Sequence, residues 1–396
     1  MTGEPDNRMV YVAYRRGVGD LIARAVAAEL RAAGIPAYCE GEGDQPAAMS
    51  GAERERIAQR AARACRLCLL VLTPGTLEPC AAPGDWLRVQ IEWALAAGRR
   101  IVPLVSPGIA WEAALRALDP DLDMARALAA ATPLPLSYDQ LPLLPAALRE
   151  GLAPDAPPGD SQQPSITREQ LMAQTHFERA FTRASEDVQG RIADYSEAIR
   201  LYPAFGAAYA RRAANRDLLG DLARALADCD AALEHDPALD IAYINRGIIR
   251  TEQRDVNGAI DDFSRALALN SRLVQGYYRR AIARYDLKDY DGADADLTAA
   301  IALDPGSAEA YYNRGLARAQ FDLNAAVEDW SEAIRLKPDF IEAIYNRGLV
   351  RANWADLDGT IEDMSRLLNL LPDKTSPQAR QVRAKLEEMK QLKNGQ

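Results

Sequence analysis

The chain has 396 residues, 57 acidic against 47 basic side chains, five cysteines and two histidines, which is the length of two or three domains. Both histidines, His176 and His235, lie beyond residue 150, so the first 150 residues hold no Ser-His-Asp triad, Cys-His dyad or histidine-ligated metal, and any chemistry there falls to carboxylates. A formal charge of −10 argues against nucleic acid as a partner.

Met1-Thr2-Gly3-Glu4-Pro5-Asp6 lacks a basic stretch leading into an apolar core, and nowhere do eighteen apolar residues run together. An odd cysteine count in a chain this long does not form a disulfide framework. The expectation is a cytoplasmic protein with no membrane segment.

Val10-Tyr11-Val12-Ala13-Tyr14 is a run of β-formers, broken by Gly17 and Gly19, and Leu21 to Leu30 carries helical periodicity ending at Gly34. Ile35–Cys39 predicts a second strand, 40–52 a loop, and 53–64 a helix. Leu67–Leu72 is a continuous apolar run expected of a buried parallel strand. A helix over 85–97 and a strand over 100–105 follow. Alternation of this kind predicts a doubly wound parallel sheet, with functional loops at the carboxyl ends of its strands.

Gly17-Val18-Gly19 lacks the third glycine of a dinucleotide fingerprint and reads as a tight turn. Cys65-Arg66-Leu67-Cys68 has CxxC spacing but leads into a buried strand, with no second pair and no nearby histidine, so no metal is assigned.

Three blocks in order, Tyr11-Val12-Ala13-Tyr14-Arg15-Arg16, Leu70 to Leu77, and Asp85-Trp86 through Leu104, resemble the TIR domain, and within it the NAD⁺-cleaving group. The resemblance covers 9–150. It implies an NAD⁺ nucleosidase that cleaves the nicotinamide–ribose bond to give nicotinamide and ADP-ribose or a cyclic product, with NAD⁺ as substrate and no cofactor. It also implies that TIR domains associate to complete the site. Nicotinamide leaves as a neutral molecule and needs no general acid; one carboxylate facing the oxocarbenium-like ribose suffices, which suits a domain without histidine.

The glutamate that the resemblance implies, four residues after Trp86, is replaced by Gln90. At about 100° per residue, Glu92 points about 200° away from position 90, and its expected role is an ion pair with Arg88. Gln keeps the shape and hydrogen-bonding capacity of Glu but not its charge. The chain therefore reads as an inactivated form, through an engineered Glu→Gln change or as a natural pseudoenzyme. Around position 90 the resemblance implies Trp86 stacking on a base, Arg15 and Arg16 meeting pyrophosphate or ribose, and Glu40 contacting ribose. Each also has a structural reading: a core tryptophan, a solvated turn, an exposed strand-end acid.

Residues 151–166 are rich in proline and polar residues and predict a linker. Thr167-Arg168-Glu169-Gln170 has capping-box spacing, so a helix starts there. Beyond it Ala208-Tyr209, Ala242-Tyr243, Gly276-Tyr277 and Ala310-Tyr311 recur every 34 residues, with a fifth copy at Ala343 after 33, and small residues and closing prolines repeat in step. This pattern resembles a tetratricopeptide (TPR) array. Its implication is an all-helical solenoid of about six units over 167–375, closed by a capping helix over 376–396, with a groove for a protein or peptide trigger. Asn245, Arg279, Arg280, Asn313 and Asn346 are candidates for clamping a peptide carboxylate there; the competing reading is packing within the repeat consensus. The composite expectation is an α/β domain plus an all-α array: a TIR–TPR protein of bacterial antiphage defence, activated by TPR-mediated sensing or assembly. The alternative is a non-enzymatic scaffold.

Overall fold

The structure, a computed structural model, describes residues 9–15, 20–39, 51–74, 76–77, 85–106, 109, 111–116, 118, 120, 122–136, 148 and 167–395. It divides into two compact units, Met1–Leu273 and Val274–Gln396.

The first unit opens with five strands, β1 (Val10–Ala13), β2 (Ala37–Cys39), β3 (Leu67–Leu72), β4 (Arg100–Val105) and β5 (Leu134–Pro135). They form one sheet in the order β2-β1-β3-β4-β5, every neighbouring pair parallel. All residues of β1 and β3 are buried, as both faces are covered. Because alternate side chains point to opposite faces, Val10, Val12, Leu67, Leu69 and Val71 pack with Ile22, Val26 and Leu30 of α1 (Asp20–Ala32). Tyr11, Ala13, Cys68, Leu70 and Leu72 instead meet α2 (Gly51–Ala64), α3 (Trp86–Ala96) and α5 (Asp123–Ala130). The chain winds outward from β1 in both directions, so the strand order reverses between β1 and β3, where such sheets form a crevice at the carboxyl ends. Two short helices, α4 (Trp111–Arg116) and α5, together with β5, were not anticipated from the sequence.

The same unit continues with three antiparallel helix pairs: α6 (Arg168–Thr182) with α7 (Val188–Leu201), α8 (Gly206–Asp217) with α9 (Leu222–His235), and α10 (Asp240–Glu252) with α11 (Val256–Leu269). The capping box is present at α6: Gln170 N donates to Thr167 Oγ1 at 3.2 Å and Thr167 N to Gln170 Oε1 at 2.8 Å.

The second unit holds three more pairs: α12 (Val274–Asp286) with α13 (Tyr290–Leu303), α14 (Ala308–Arg318) with α15 (Leu323–Leu336), and α16 (Ile341–Asn353) with α17 (Leu357–Leu370). A single helix, α18 (Pro377–Asn394), follows. The small residues of the repeat have a steric reason. A Cβ on Gly247 would lie 2.6 Å from the Phe263 ring, on Gly315 2.5 Å from Trp330 Nε1, and on Gly348 2.6 Å from Met364 Cε. Glycine lets the first helix of each of these pairs press against the second.

A further regularity escaped sequence reading. Asp194, Asp228, Asp262, Asp296, Asp329 and Asp363 recur every 33 or 34 residues and are all buried. Each is held by two arginines of its own pair. Asp228 takes Arg212 at 2.7 and 2.9 Å and Arg216 at 2.7 Å; Asp296 takes Arg280 at 2.6 and 2.9 Å and Arg284 at 2.8 Å. A buried carboxylate is tolerated only with such partners. Four of these arginines, Arg212, Arg246, Arg280 and Arg314, also lie over the ring of the tyrosine three residues earlier, 5.4 to 5.8 Å from its centroid.

Candidate functional site

The residues of the three N-terminal sequence blocks meet at the carboxyl ends of β1 and β3. Arg15, two residues past β1, reaches across 70 residues of sequence to Asp85, with Nη1–Oδ2 at 2.7 Å and Nη2–Oδ1 at 2.9 Å. Its Nε donates to the Thr76 carbonyl at 2.8 Å. This two-pronged pair is largely shielded from water, where a planar guanidinium holds a carboxylate best. Past β3, Thr73 N donates to Thr76 Oγ1 at 3.0 Å and Thr76 N to the Thr73 carbonyl at 3.0 Å, closing a tight turn.

Asp85 has a second task. Its Oδ1 accepts from Arg88 N at 3.0 Å and so caps the first turn of α3. One pair therefore fixes where α3 starts and how it is rotated. Trp86, the first residue of that helix, is half-buried and meets Trp93 edge-on at 5.5 Å. Gln90, one turn on, is 1% exposed and lies beside Leu87, Val89, Ile91 and Ala94 on the buried side. Position 90 is thus not open to solvent in this conformation. Arg88 Nε bonds Glu92 Oε1 at 2.7 Å, the pairing expected from their spacing. Leu95 of the same helix is half-buried, whereas Val89 is buried. Arg16, Glu40 and residues 41–50 lie outside the described residues.

The CxxC cysteines are both buried. Burial pushes the Cys65 thiol up to about 11, against a smaller opposite pull from Arg99, and raises the Cys68 thiol well above its ordinary value. Protonated thiols are poor nucleophiles and poor metal ligands. No cluster of metal-ligating side chains occurs among the described residues.

The candidate peptide-clamp residues divide. Asn245 Nδ2 donates to the Ala210 carbonyl at 2.9 Å, Asn313 Nδ2 to Tyr278 Oη at 2.9 Å and to the Glu309 carbonyl at 2.8 Å, and Asn346 Nδ2 to Tyr312 Oη at 3.4 Å. These amides tie each first helix to that of the preceding pair. Arg280 is committed to Asp296. Arg279 is exposed and has no ion-pair partner among the described residues. In the second unit a cavity of about 240 Å³ opens between α16, α17 and α18, lined by Tyr345, Leu349, Met364, Val382, Lys385 and Glu388 among others. No described helix is long and apolar enough to cross a membrane.

Comparison with known proteins gives matches to part of the chain. Three solved structures are similar to it: YrrB, described as a TPR protein with an unusual peptide-binding site, at 23% identity and TM-score 0.42 over 45% of this chain and 93% of that one; Pseudomonas aeruginosa PilF, at 12% and 0.48 over 57% and 99%; and MamA from Desulfovibrio magneticus, at 23% and 0.40 over 43% and 97%. No curated protein matches the chain. A tetratricopeptide repeat model matches residues 274–307, the span that opens with α12 and α13, so the chain contains a TPR repeat.

Proposed function

We propose that the α/β domain is a TIR-type domain of the NAD⁺-cleaving kind, an NAD⁺ nucleosidase held in an inactivated form by Gln90. In this reading the helical array regulates it in bacterial antiphage defence, by binding a protein or peptide trigger and by bringing copies of the chain together. The observation that carries the reading is the Arg15–Asp85 pair. It joins the first block of the resemblance to the third, beside the turn formed by the second, and so orients the helix that bears position 90.

The reaction breaks the bond between ribose C1′ and the pyridinium nitrogen. The bonding pair leaves with nicotinamide, and water or an internal nucleophile takes its place at C1′. Trp86 offers a ring for a base to stack on. Position 90 faces the ribose, where a carboxylate stabilises the developing positive charge and an amide does not. A single lost electrostatic stabiliser costs about 3 kcal/mol, roughly a hundredfold in rate. Arg15, its charge balanced by Asp85, acts as a positioning residue for α3 and not as a free phosphate ligand. Because Gln90 is buried, substrate reaches it only after neighbouring groups shift.

The test is to make Gln90→Glu, incubate it with NAD⁺ and identify the products. An increase of about a hundredfold in nicotinamide release is expected; no gain over the Gln form defeats the reading. One observation favours a second reading, a non-enzymatic scaffold. Position 90 carries a buried amide, and Arg15, which the resemblance assigns to substrate, is paired with Asp85. On that reading Gln90→Glu yields no turnover, so the same assay separates the two.

A further inference from the structure

We propose that the first three helix pairs form a dock for the α/β domain, latched by Glu55 of α2 and Arg272, which follows α11. Across 217 residues of sequence, Arg272 Nη2 and Nε reach Glu55 Oε1 at 2.8 and 3.1 Å. The two side chains are only 28% and 26% exposed, so the pair is partly sheltered from water. A second contact is independent of the first. Leu171, in the first turn of α6, packs against the apolar cluster on the α1 face of the sheet, which Val12, Leu30, Leu136 and Leu148 help to form. An ion pair at one end and an apolar contact at the other hold two points of the α/β domain to the first three helix pairs. The sheet and the first three pairs accordingly form a single compact unit that ends at Leu273, one residue past the latch.

Strength decides what such a dock can do. A partly exposed ion pair contributes at most about 1 kcal/mol, and small interfaces within a chain leave domain motion as the default. The dock is closed but marginal, and a ligand with modest differential affinity opens it. Opening has a local consequence: α2 leans on α3, Ala61 and Ala62 sharing a cluster with Leu87 and Ile91 on either side of Gln90. The dock itself does not depend on what position 90 does chemically.

The test uses the full-length chain and reads hydrogen exchange of peptides from α2, with the β3 strand as internal reference. Glu55→Arg and Arg272→Glu are each expected to speed exchange across 51–64 by about fivefold relative to β3, matching about 1 kcal/mol. The double reversal Glu55→Arg/Arg272→Glu is expected to restore the original rate to within about twofold. Glu55→Gln and Arg272→Gln, which introduce no repulsion, cover the case in which a reversal unfolds the domain. Their effects are expected to be non-additive, the double variant exchanging no faster than either single one. Unchanged exchange in the single variants, a double reversal as fast as the singles, or additive effects of the two Gln variants would each overturn the proposal.

Discussion

Arg347 grips Asp363 through Nη2–Oδ1 at 2.6 Å and Nε–Oδ2 at 3.1 Å, and the Asp363 side chain is wholly removed from solvent. Arg351, one turn further along α16, adds a third bond at 3.0 Å. A carboxylate so enclosed depends on these two arginines for its charge balance. Asp363→Ala strands two guanidinium groups around a void and is expected to lower stability by about 3 kcal/mol, since removing one member of a buried pair costs far more than the pair contributes. Urea unfolding followed by circular dichroism checks this. A loss under about 1 kcal/mol would mean that the arginines simply swing into water.

Gly315→Ala sets two effects against each other. Helix propensity favours alanine by about 1 kcal/mol, but the new Cβ would sit 2.5 Å from Trp330 Nε1 and 2.7 Å from Cδ1, in a packed interface. Overpacking of this kind costs about 1–3 kcal/mol, and the indole, buried and donating to the Tyr312 carbonyl at 3.2 Å, has no easy retreat. A net loss and a lower melting temperature are expected. An unchanged or raised melting temperature would show that the helices can part without penalty.

Thiol reactivity reports the fold directly. Burial pushes Cys65 up to about 11 and Cys229 up to about 12, the neighbouring carboxylates adding to the latter, and Cys68 is raised as well. At pH 8 these thiols are protonated and inaccessible. Alkylation with iodoacetamide followed by peptide mapping is expected to spare all three in the native protein and label them in 6 M guanidinium. Rapid native labelling of Cys68 would contradict its burial within β3.

Acid weakens the first helix pair in a definite direction. Burial alone raises the Asp194 carboxyl, but hydrogen bonds from Arg179 and Arg183 outweigh it and hold the group below its ordinary value of 3.8. The folded value is the depressed one, so the stabilisation is present in full above the unfolded value and is lost as the pH falls through the folded value. Stability is therefore expected to be flat near neutrality and to decline below about pH 4. Asp194→Asn should show a shallower acid slope; an identical slope would place the acid sensitivity elsewhere.

Strand β3 begins and ends where its apolar run does, because a strand buried on both faces must be apolar throughout, and β4 follows its apolar run after one exposed arginine at its start. The capping box at Thr167 and the pairing of Arg88 with Glu92 were equally legible, being local geometry. What the sequence concealed was tertiary. Arg15 and Asp85 are 70 residues apart, and nothing in either neighbourhood announces that a cation expected at a phosphate is spent on a helix cap. The six aspartates repeat as regularly as the alanines, yet a charged residue in a charged chain reads as solvated until burial shows otherwise. Short elements such as 111–116 and 134–135 offer too few residues for a period to emerge.

Those aspartates carry one more implication. Each is neutralised by arginines from its own helix pair, whereas the ion pairs that cross from one helix pair to the next, Arg246–Asp230 at 2.8 Å and Arg318–Asp294 at 2.6 Å, end on less buried aspartates. Whole units can be removed or duplicated without orphaning any of the six buried carboxylates at the seam. The number of repeats is then free to drift over generations, and the reach of the helical part can be lengthened or shortened by unequal recombination in steps of about 34 codons while its interior electrostatics stay closed.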